Sequence, residues 1–378
     1  MQIEIFAMER MQSLHEHDVE INLSESGVEP LRVKELLTSE RDVERLLAQP
    51  LGYTQSAGPT TLRERIADWY PGAKPENVTV TNGGAEANYT ALWTLLQQGD
   101  EAAIMLPNYL QTWGLARAFA HARSFRLCIQ SEGSRRRWAL DLDTLRRAVT
   151  PRTKLIIITN PNNPTGSILS ADEMTAVVDA ARSAGAWLLS DEIYRGAEVN
   201  SASASPTFWG HYEKTIVTGG LSKAFGLPGL RVGWIVAPAA LIEELWRRHD
   251  YLTIMVGTIS AQLAAHALAP GKRDQLLART RRILQSNLPL LEHWIQSHGD
   301  LFHYVPPQAG GVAFLGADLP VPTVQLAEQL RVEQSVLVVP GEQLGAGTGL
   351  RLGYGHDIAH TLKGLARIDH VLREIGIN

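Results

Sequence analysis

The chain has 378 residues, 44% hydrophobic and 20% charged, with 32 glycines and 19 prolines spread along it. That composition excludes a disordered or low-complexity protein, and the length allows two domains of about 150 residues each or one large α/β domain with an appendage. The net charge of -5 argues against nucleic acid as a partner. The one basic run, Arg135-Arg136-Arg137, reads as a solvated loop beside Gly133 and Ser134. The single cysteine, Cys128, cannot form an internal disulfide, which points to a reducing compartment. No apolar window reaches the ~18 residues of a membrane span, so a cytoplasmic protein with no membrane partner is expected.

Phe6, Met8, Met11 and Leu14 carry a broken helical spacing that runs into His15-Glu16-His17-Asp18. Histidines at i and i+2 point to different faces of a helix, so this cluster reads as a solvated face and no metal site is expected. Residues Val19 to Leu23 alternate like a short strand and lead to a turn at Gly27. Ser39 to Leu47 reads as a helix, and Thr61-Leu62-Arg63-Glu64 as a capping box opening a helix to Trp69. Val78 to Thr81 is a buried strand, Asn82-Gly83-Gly84 a turn, and Ala85 to Leu96 a helix. Strand, glycine turn and helix start offer free N–H groups and the positive dipole end to a phosphate. Neither the P-loop lysine nor the dinucleotide G-x-G-x-x-G is present, so the phosphate belongs to another cofactor.

The strand Ala102 to Leu106 ends at Pro107-Asn108-Tyr109, and the Tyr109 ring suits a flat cationic partner. Phe125 to Ile129 is apolar, and Leu142 to Val149 is helical. Leu155 to Thr159 is an apolar run of the kind found in central parallel strands, ending in the Pro-fixed loop Asn160-Pro161-Asn162-Asn163-Pro164-Thr165-Gly166. Ser170-Ala171-Asp172-Glu173 is a capping box for a helix to about Ala184. Trp187 to Ser190 delivers Asp191 to a strand's carboxyl end, where open α/β sheets bind ligands; a helix cap is the alternative. Thr215 to Thr218 then leads through Gly219 and Gly220 to Ser222-Lys223 and, past Gly226 and Gly229, to Arg231 and the apolar Val232 to Val236. Helices are expected over Ala239 to His249, Ile259 to Leu268 and Lys272 to His298. A second α/β pattern follows: Gly310 to Phe314, a helix from Thr323, Val336 to Val339, Leu350 to Gly355 and a final helix to about Ile375. The expected division is 1–38 joining a small domain, 39–270 as the large domain and 271–378 as the small one. Arg351 sits inside an apolar run, with an exposed salt-bridging arginine as the alternative.

From roughly Ser24 to the last helix, the chain resembles the class I/II aminotransferases, pyridoxal phosphate (PLP) enzymes of fold type I. The likeness rests on S-K-x-x-G-x-x-G-x-R from Ser222, Y-x-x-x-x-G-x-x-x-L-R from Tyr53, N-P-N-N-P-T-G from Asn160, D-E-I-Y from Asp191 and R-L-G-Y-G from Arg351. It implies an α/β fold: a large domain with a mostly parallel central sheet flanked by helices, plus a smaller α/β domain. It also implies that Lys223 carries PLP and moves a proton between Cα and C4′, and that Asp191 keeps the pyridine nitrogen protonated. Tyr109 would stack on the ring, while Asn163 and Tyr194 hold its phenolic oxygen. Gly83, Gly84, Ala85, Ser222 and Arg231 would take the phosphate. Tyr53 would reach the phosphate of a neighbouring subunit, making the protein a homodimer with its active sites at the interface. Gly27, Asn163 and Arg351 would meet the substrate, Arg351 as bidentate partner of its α-carboxylate.

The activity implied is ping-pong transfer of an amino group between an L-amino acid and a 2-oxo acid. A PLP-binding sensor domain is a further possibility from another class, but it expects an added basic DNA-binding domain. Leu221 to Gly233, His249-Asp250-Tyr251-Leu252-Thr253 and Val338 to Gly341 also resemble the capreomycidine synthase subgroup, which implies elimination and cyclisation, or oxidation, of an arginine or hydroxyarginine. Glu25 could then meet a guanidinium, or be a plain surface residue. One departure stands out: Gly220 occupies a place where many relatives carry a phosphate-binding hydroxyl, so weaker PLP retention is expected, with Gly220→Ser as its test.

Overall fold

The computed structural model describes residues 2–133 and 135–377. In chain order its strands are β1 (Ile21–Asn22), β2 (Val78–Thr81), β3 (Glu101–Leu106), β4 (His121–Glu132), β5 (Arg135–Leu140), β6 (Thr153–Thr159), β7 (Trp187–Asp191), β8 (Thr215–Gly220), β9 (Gly233–Val236), β10 (Phe302–Tyr304), β11 (Val312–Ala317), β12 (Val336–Leu337), β13 (Val339–Pro340) and β14 (Gly349–Gly353). The large sheet has the order β2-β9-β8-β7-β6-β3-β4-β5. Strands β8, β7, β6, β3 and β4 run parallel, whereas β9 is antiparallel to both of its neighbours. The lysine loop, residues 221–232, joins β8 to β9 with no α-helix in it, so the chain returns beside β8 as a hairpin and not through a helical crossover.

Alternation along β6 divides the core between two layers. Ile156 and Ile158 pack with Met174, Val177 and Ala181 of the helix Ala171–Ala184. Leu155 and Ile157 pack on the other face with Ala87, Ala91 and Leu92 of the helix Gly84–Leu95. Each fully buried branched side chain contributes roughly 1.5–3 kcal/mol, so the sheet is pinned from both sides. Its carboxyl ends at Thr159, Asp191 and Gly220 are left facing one edge.

The second sheet, β10-β11-β14-β13, is antiparallel, and its register sets Arg351 opposite Phe314 and Val339. The N-terminal segment joins this half through the parallel pair β1 and β12, Ile21 opposite Val336. The helix Lys272–Ser297 places Leu277, Leu284 and Leu288 in a core shared with Val217 and Leu352.

Several local expectations are corrected. Arg135 to Arg137 lie on β5 rather than in a loop, and Arg137 pairs with Glu173 at 2.8 Å; Ser134 lies outside the described residues. The helix expected from Thr61 starts at Thr60 with Pro59 as its cap and ends at Ala67, because Gln55 Oε1 accepts from Thr60 N at 2.8 Å and draws the chain into the helix early. The strand over Val19 to Leu23 is paired only at Ile21 and Asn22, and Val338 divides the expected Val336 to Val339 strand in two. By contrast, the Ser170 capping box has both of its reciprocal bonds.

Glu192, directly after β7, is buried; its Oε1 accepts from Phe208 N, Thr207 Oγ1 and Ser190 Oγ at 2.8–3.2 Å. Burial pushes its carboxyl up to about 7, with Arg195 pulling the other way. A raised folded pKa means the native state holds more protons between about pH 4.5 and 7, so this group's contribution to stability falls as pH rises through that window. Glu192→Gln should therefore gain in Tm relative to the parent between pH 5 and pH 8, by at most about 3 kcal/mol in equivalent stability. A Tm difference that is flat with pH would contradict this.

Candidate active site

Four strand ends build one cavity. Gly84 and Ala85 follow β2, Asn163 follows β6, Asp191 ends β7, and Ser222 and Lys223 follow β8. Together with Tyr109, Tyr194 and Arg231 they line a space of about 340 Å³. The neighbouring backbones are tightly nested. A Cβ on Gly83, at φ +89, would lie 2.5 Å from Arg231 Nη2, and a Cβ on Gly233 would lie 2.4 Å from the Gly83 carbonyl carbon. Arg231 itself is held left-handed at φ 49, a conformation that costs a non-glycine residue roughly 1–2 kcal/mol.

The lysine loop is fixed independently of Lys223. Leu221 N donates to Val232 O at 3.0 Å, Thr280 Oγ1 donates to Ala224 O at 2.8 Å, and Leu221 and Ala224 are fully buried. At the start of the helix Gly84–Leu95, the N–H groups of Gly84, Ala85 and Glu86 find no acceptor among the described residues.

Asp191 is buried and followed by a turn, not a helix, which removes the helix-cap alternative. Burial raises its carboxyl pKa, while Asn88 Nδ2 donates to its Oδ2 at 2.8 Å and Ile193 N to its Oδ1 at 3.1 Å. The other asparagines of the loop after β6 brace the backbone: Asn162 Nδ2 donates to Pro107 O, past the end of β3, at 3.0 Å, and Asn160 Oδ1 accepts from Leu169 N at 3.0 Å. Asn163 Oδ1 accepts from Arg351 Nη1 at 3.1 Å, which leaves its NH2 as the end that can donate into the cavity. The Tyr109 hydroxyl donates to Glu9 Oε1 at 2.8 Å, and Phe6 meets its ring edge-on at 4.9 Å.

Arg351 lies behind Asn163, 1% exposed. Its guanidinium donates to Asn163 and to Ser24 O, its Nε has no partner, and no carboxylate pairs with it among the described residues. The exposed salt-bridge alternative is thereby excluded. Gly27 does not line the cavity, but its backbone fits between neighbours: Cβ atoms on Gly311 and Gly355 would lie 2.3 and 2.2 Å from Gly27 O. Tyr53 stands apart, 89% exposed. The Gly220→Ser test is less clean than expected, since a Cβ there would lie 3.0 Å from both Val232 O and Ile193 Cδ1.

The class I and II aminotransferase pattern matches residues 20–368. The chain belongs to that family. It is 29% identical over 358 residues to capreomycidine synthase of Streptomyces vinaceus, covering 93% of this chain and 89% of that one. Among solved structures it is similar to a PLP-dependent aminotransferase from Streptococcus suis, with TM-score 0.91 and 29% identity over the whole of both chains. It is also similar to the PLP-dependent cyclase OrfR, with TM-score 0.86 and 29% identity over 99% of this chain and 98% of that one. Family and fold type establish a PLP-dependent transferase with a mixed α/β sheet flanked by helices.

Pattern reading missed the residues that have no family motif. Glu9, Gln12, Ser13 and Glu16, from the helix Ala7–His15 and its end, roof the cavity beside Glu25, which the sequence had offered as a contact for a guanidinium and which lines the cavity. Asn88 was missed as well, although a polar residue on the apolar face of a buried helix is a visible signal. Thr218 Oγ1 donates to Asn88 Oδ1 at 2.8 Å, so the amide end must face Asp191. Asn88→Leu should leave Asp191 short of a charge-assisted bond worth about 1.5–3 kcal/mol and lower kcat/KM by about 10–100-fold. The bound cofactor's absorbance should also titrate at a shifted pH, and an unshifted titration would contradict this role.

Proposed function

We propose that the protein transfers an amino group between an L-amino acid and a 2-oxo acid in two half-reactions, ping-pong, with Lys223 as the catalytic residue. The observation that carries this reading is Arg351, a buried guanidinium with no carboxylate partner among the described residues, bonded to Asn163 on the wall of the Lys223 cavity. Burying a cation unpaired is costly, and a substrate α-carboxylate would complete it.

The residues fit PLP: a buried carboxylate stands ready for the ring nitrogen, three free N–H groups and Arg231 for the phosphate, and an amide NH2 for the ring oxygen. When bound, PLP supplies the carbonyl that reacts with amines and the electron sink for Cα. Asp191 holds a proton on the ring nitrogen. Gly84, Ala85, Ser222 and Arg231 hold the phosphate, with Gly83 giving Arg231 room. Asn163 and Tyr194 donate to the ring oxygen, Tyr109 covers the ring face, and Arg351 orients the substrate with Gly27 alongside. With PLP bound, the Lys223 amine would be the base that takes the proton from the substrate Cα and the acid that gives it back.

We further propose a homodimer in which Tyr53 serves the neighbouring site. Tyr53, Leu51 and Tyr251 are 84–89% exposed, large side chains that a second copy would cover.

Glu9, Glu16 and Glu25 on the cavity wall favour a second reading, a lyase or cyclase acting on arginine or a hydroxyarginine; OrfR, a similar solved structure, is named as a PLP-dependent cyclase. One experiment separates the two. After an amino donor has converted the bound cofactor, pyruvate or 2-oxoglutarate should restore the starting absorbance in a transaminase and change nothing in a lyase.

A further inference from the structure

Glu86 sits in the first turn of the helix Gly84–Leu95, next to the free N–H groups of Gly84 and Ala85. A glutamate there ordinarily folds back onto the helix start, where the dipole favours an anion. Here three donors hold it short of those N–H groups, one from the turn just before the helix and two from the end of the helix Ala239–His249 and the segment that follows it. Asn82 N reaches Oε2 at 3.1 Å, while Thr253 Oγ1 and His249 Nε2 reach Oε1 at 2.7 and 2.9 Å. Burial alone would raise its carboxyl pKa, but the bonds from His249 and Thr253 outweigh that and keep it below the ordinary value, so the group is an anion.

His249 Nε2 lies 2.9 Å from Glu86 Oε1 and 3.3 Å from Thr253 Oγ1, so it faces the same cluster through both. Its side chain is fully buried at the end of the helix Ala239–His249, and its Nδ1 has no partner among the described residues. The loop that follows is fitted around it: Leu252 N and Ile254 N both point at His249 O, and Ile254 is held at φ 67, an outlier for a β-branched residue. Thr253 also accepts from Asn82 Nδ2 at 2.7 Å, tying the loop to the turn that precedes the helix.

We propose that His249 is a positioning residue that holds the Glu86 carboxylate off the helix start, keeping the Gly84 and Ala85 N–H groups available to the cofactor phosphate. The inference rests on the reading of that helix start as the phosphate site. Without His249, the carboxylate is free to swing onto the same N–H groups and compete with a phosphate dianion.

The test is the ratio of affinities for PLP and for unphosphorylated pyridoxal, measured on the apo-protein by fluorescence titration. His249→Phe should lower that ratio by about tenfold, one helix-end anion interaction. Removing the competing charge in His249→Phe/Glu86→Ala should restore most of it, and His249→Gln, which keeps a donor, should retain it. Thr253→Val, on an exposed loop, should lower the ratio less. Equal losses for both ligands, or a double variant worse than the single one, would overturn the proposal. Arg231→Ala tests the underlying placement separately: an unchanged ratio there would remove the phosphate from this end of the cavity altogether.

Discussion

Lys223→Ala is expected to lower turnover by about 10⁴-fold or more, the upper range for a positioned proton-transfer group, with the loss in kcat. Thermal stability should hardly change. The loop's shape is set by Leu221, Ala224 and the bond to Thr280, so truncating a half-buried lysine leaves no cavity in the core. The variant should still collect PLP through the helix start, Arg231 and Asp191, but without the covalent link. Lys223→Arg keeps the charge and should be equally inactive, since a guanidinium cannot serve as the amine. Comparable turnover in either variant would mean that another group moves the proton.

Arg351→Met should show the opposite pairing of effects, with loss of function and gain of stability. Substrate affinity should fall about 10²–10³-fold, chiefly in KM, because a bound carboxylate would be left without its bidentate partner. Yet the free protein should melt at the same temperature or higher. A buried cation held, among the described residues, by Asn163 Oδ1, Ser24 O and a 3.7 Å contact to Met8 Sδ costs desolvation that an apolar side chain of similar length does not. Calorimetry of the free protein and KM for the amino donor check the two halves. A large drop in Tm would identify Arg351 as structural.

The sequence made the strand ends legible because burial and alternation are local properties: apolar runs of four to seven residues became β2, β6, β7 and β8, and each delivers its motif to the same edge. Arg351 was legible for the same reason, an arginine inside a run that had to be buried. What could not be read depends on packing between distant segments. The helix Ala7–His15 is held at the cavity by contacts from far along the chain: Tyr109 to Glu9, and Val339 and Leu344 packed on Met8. Asn88 and Asp191 meet across 103 residues, and nothing in the spacing of either announces the other. The helix start at Thr60 was misplaced because a single side chain, Gln55, competes with the capping box. Arg137 looked solvent-bound in sequence because its partner Glu173 is 36 residues away on another element.

Borohydride reduction of the PLP-loaded protein followed by peptide mass mapping tests the role of Lys223. The visible cofactor band should be lost and a single reduced adduct should appear on Lys223. No adduct, or an adduct carried by another lysine, would contradict that role.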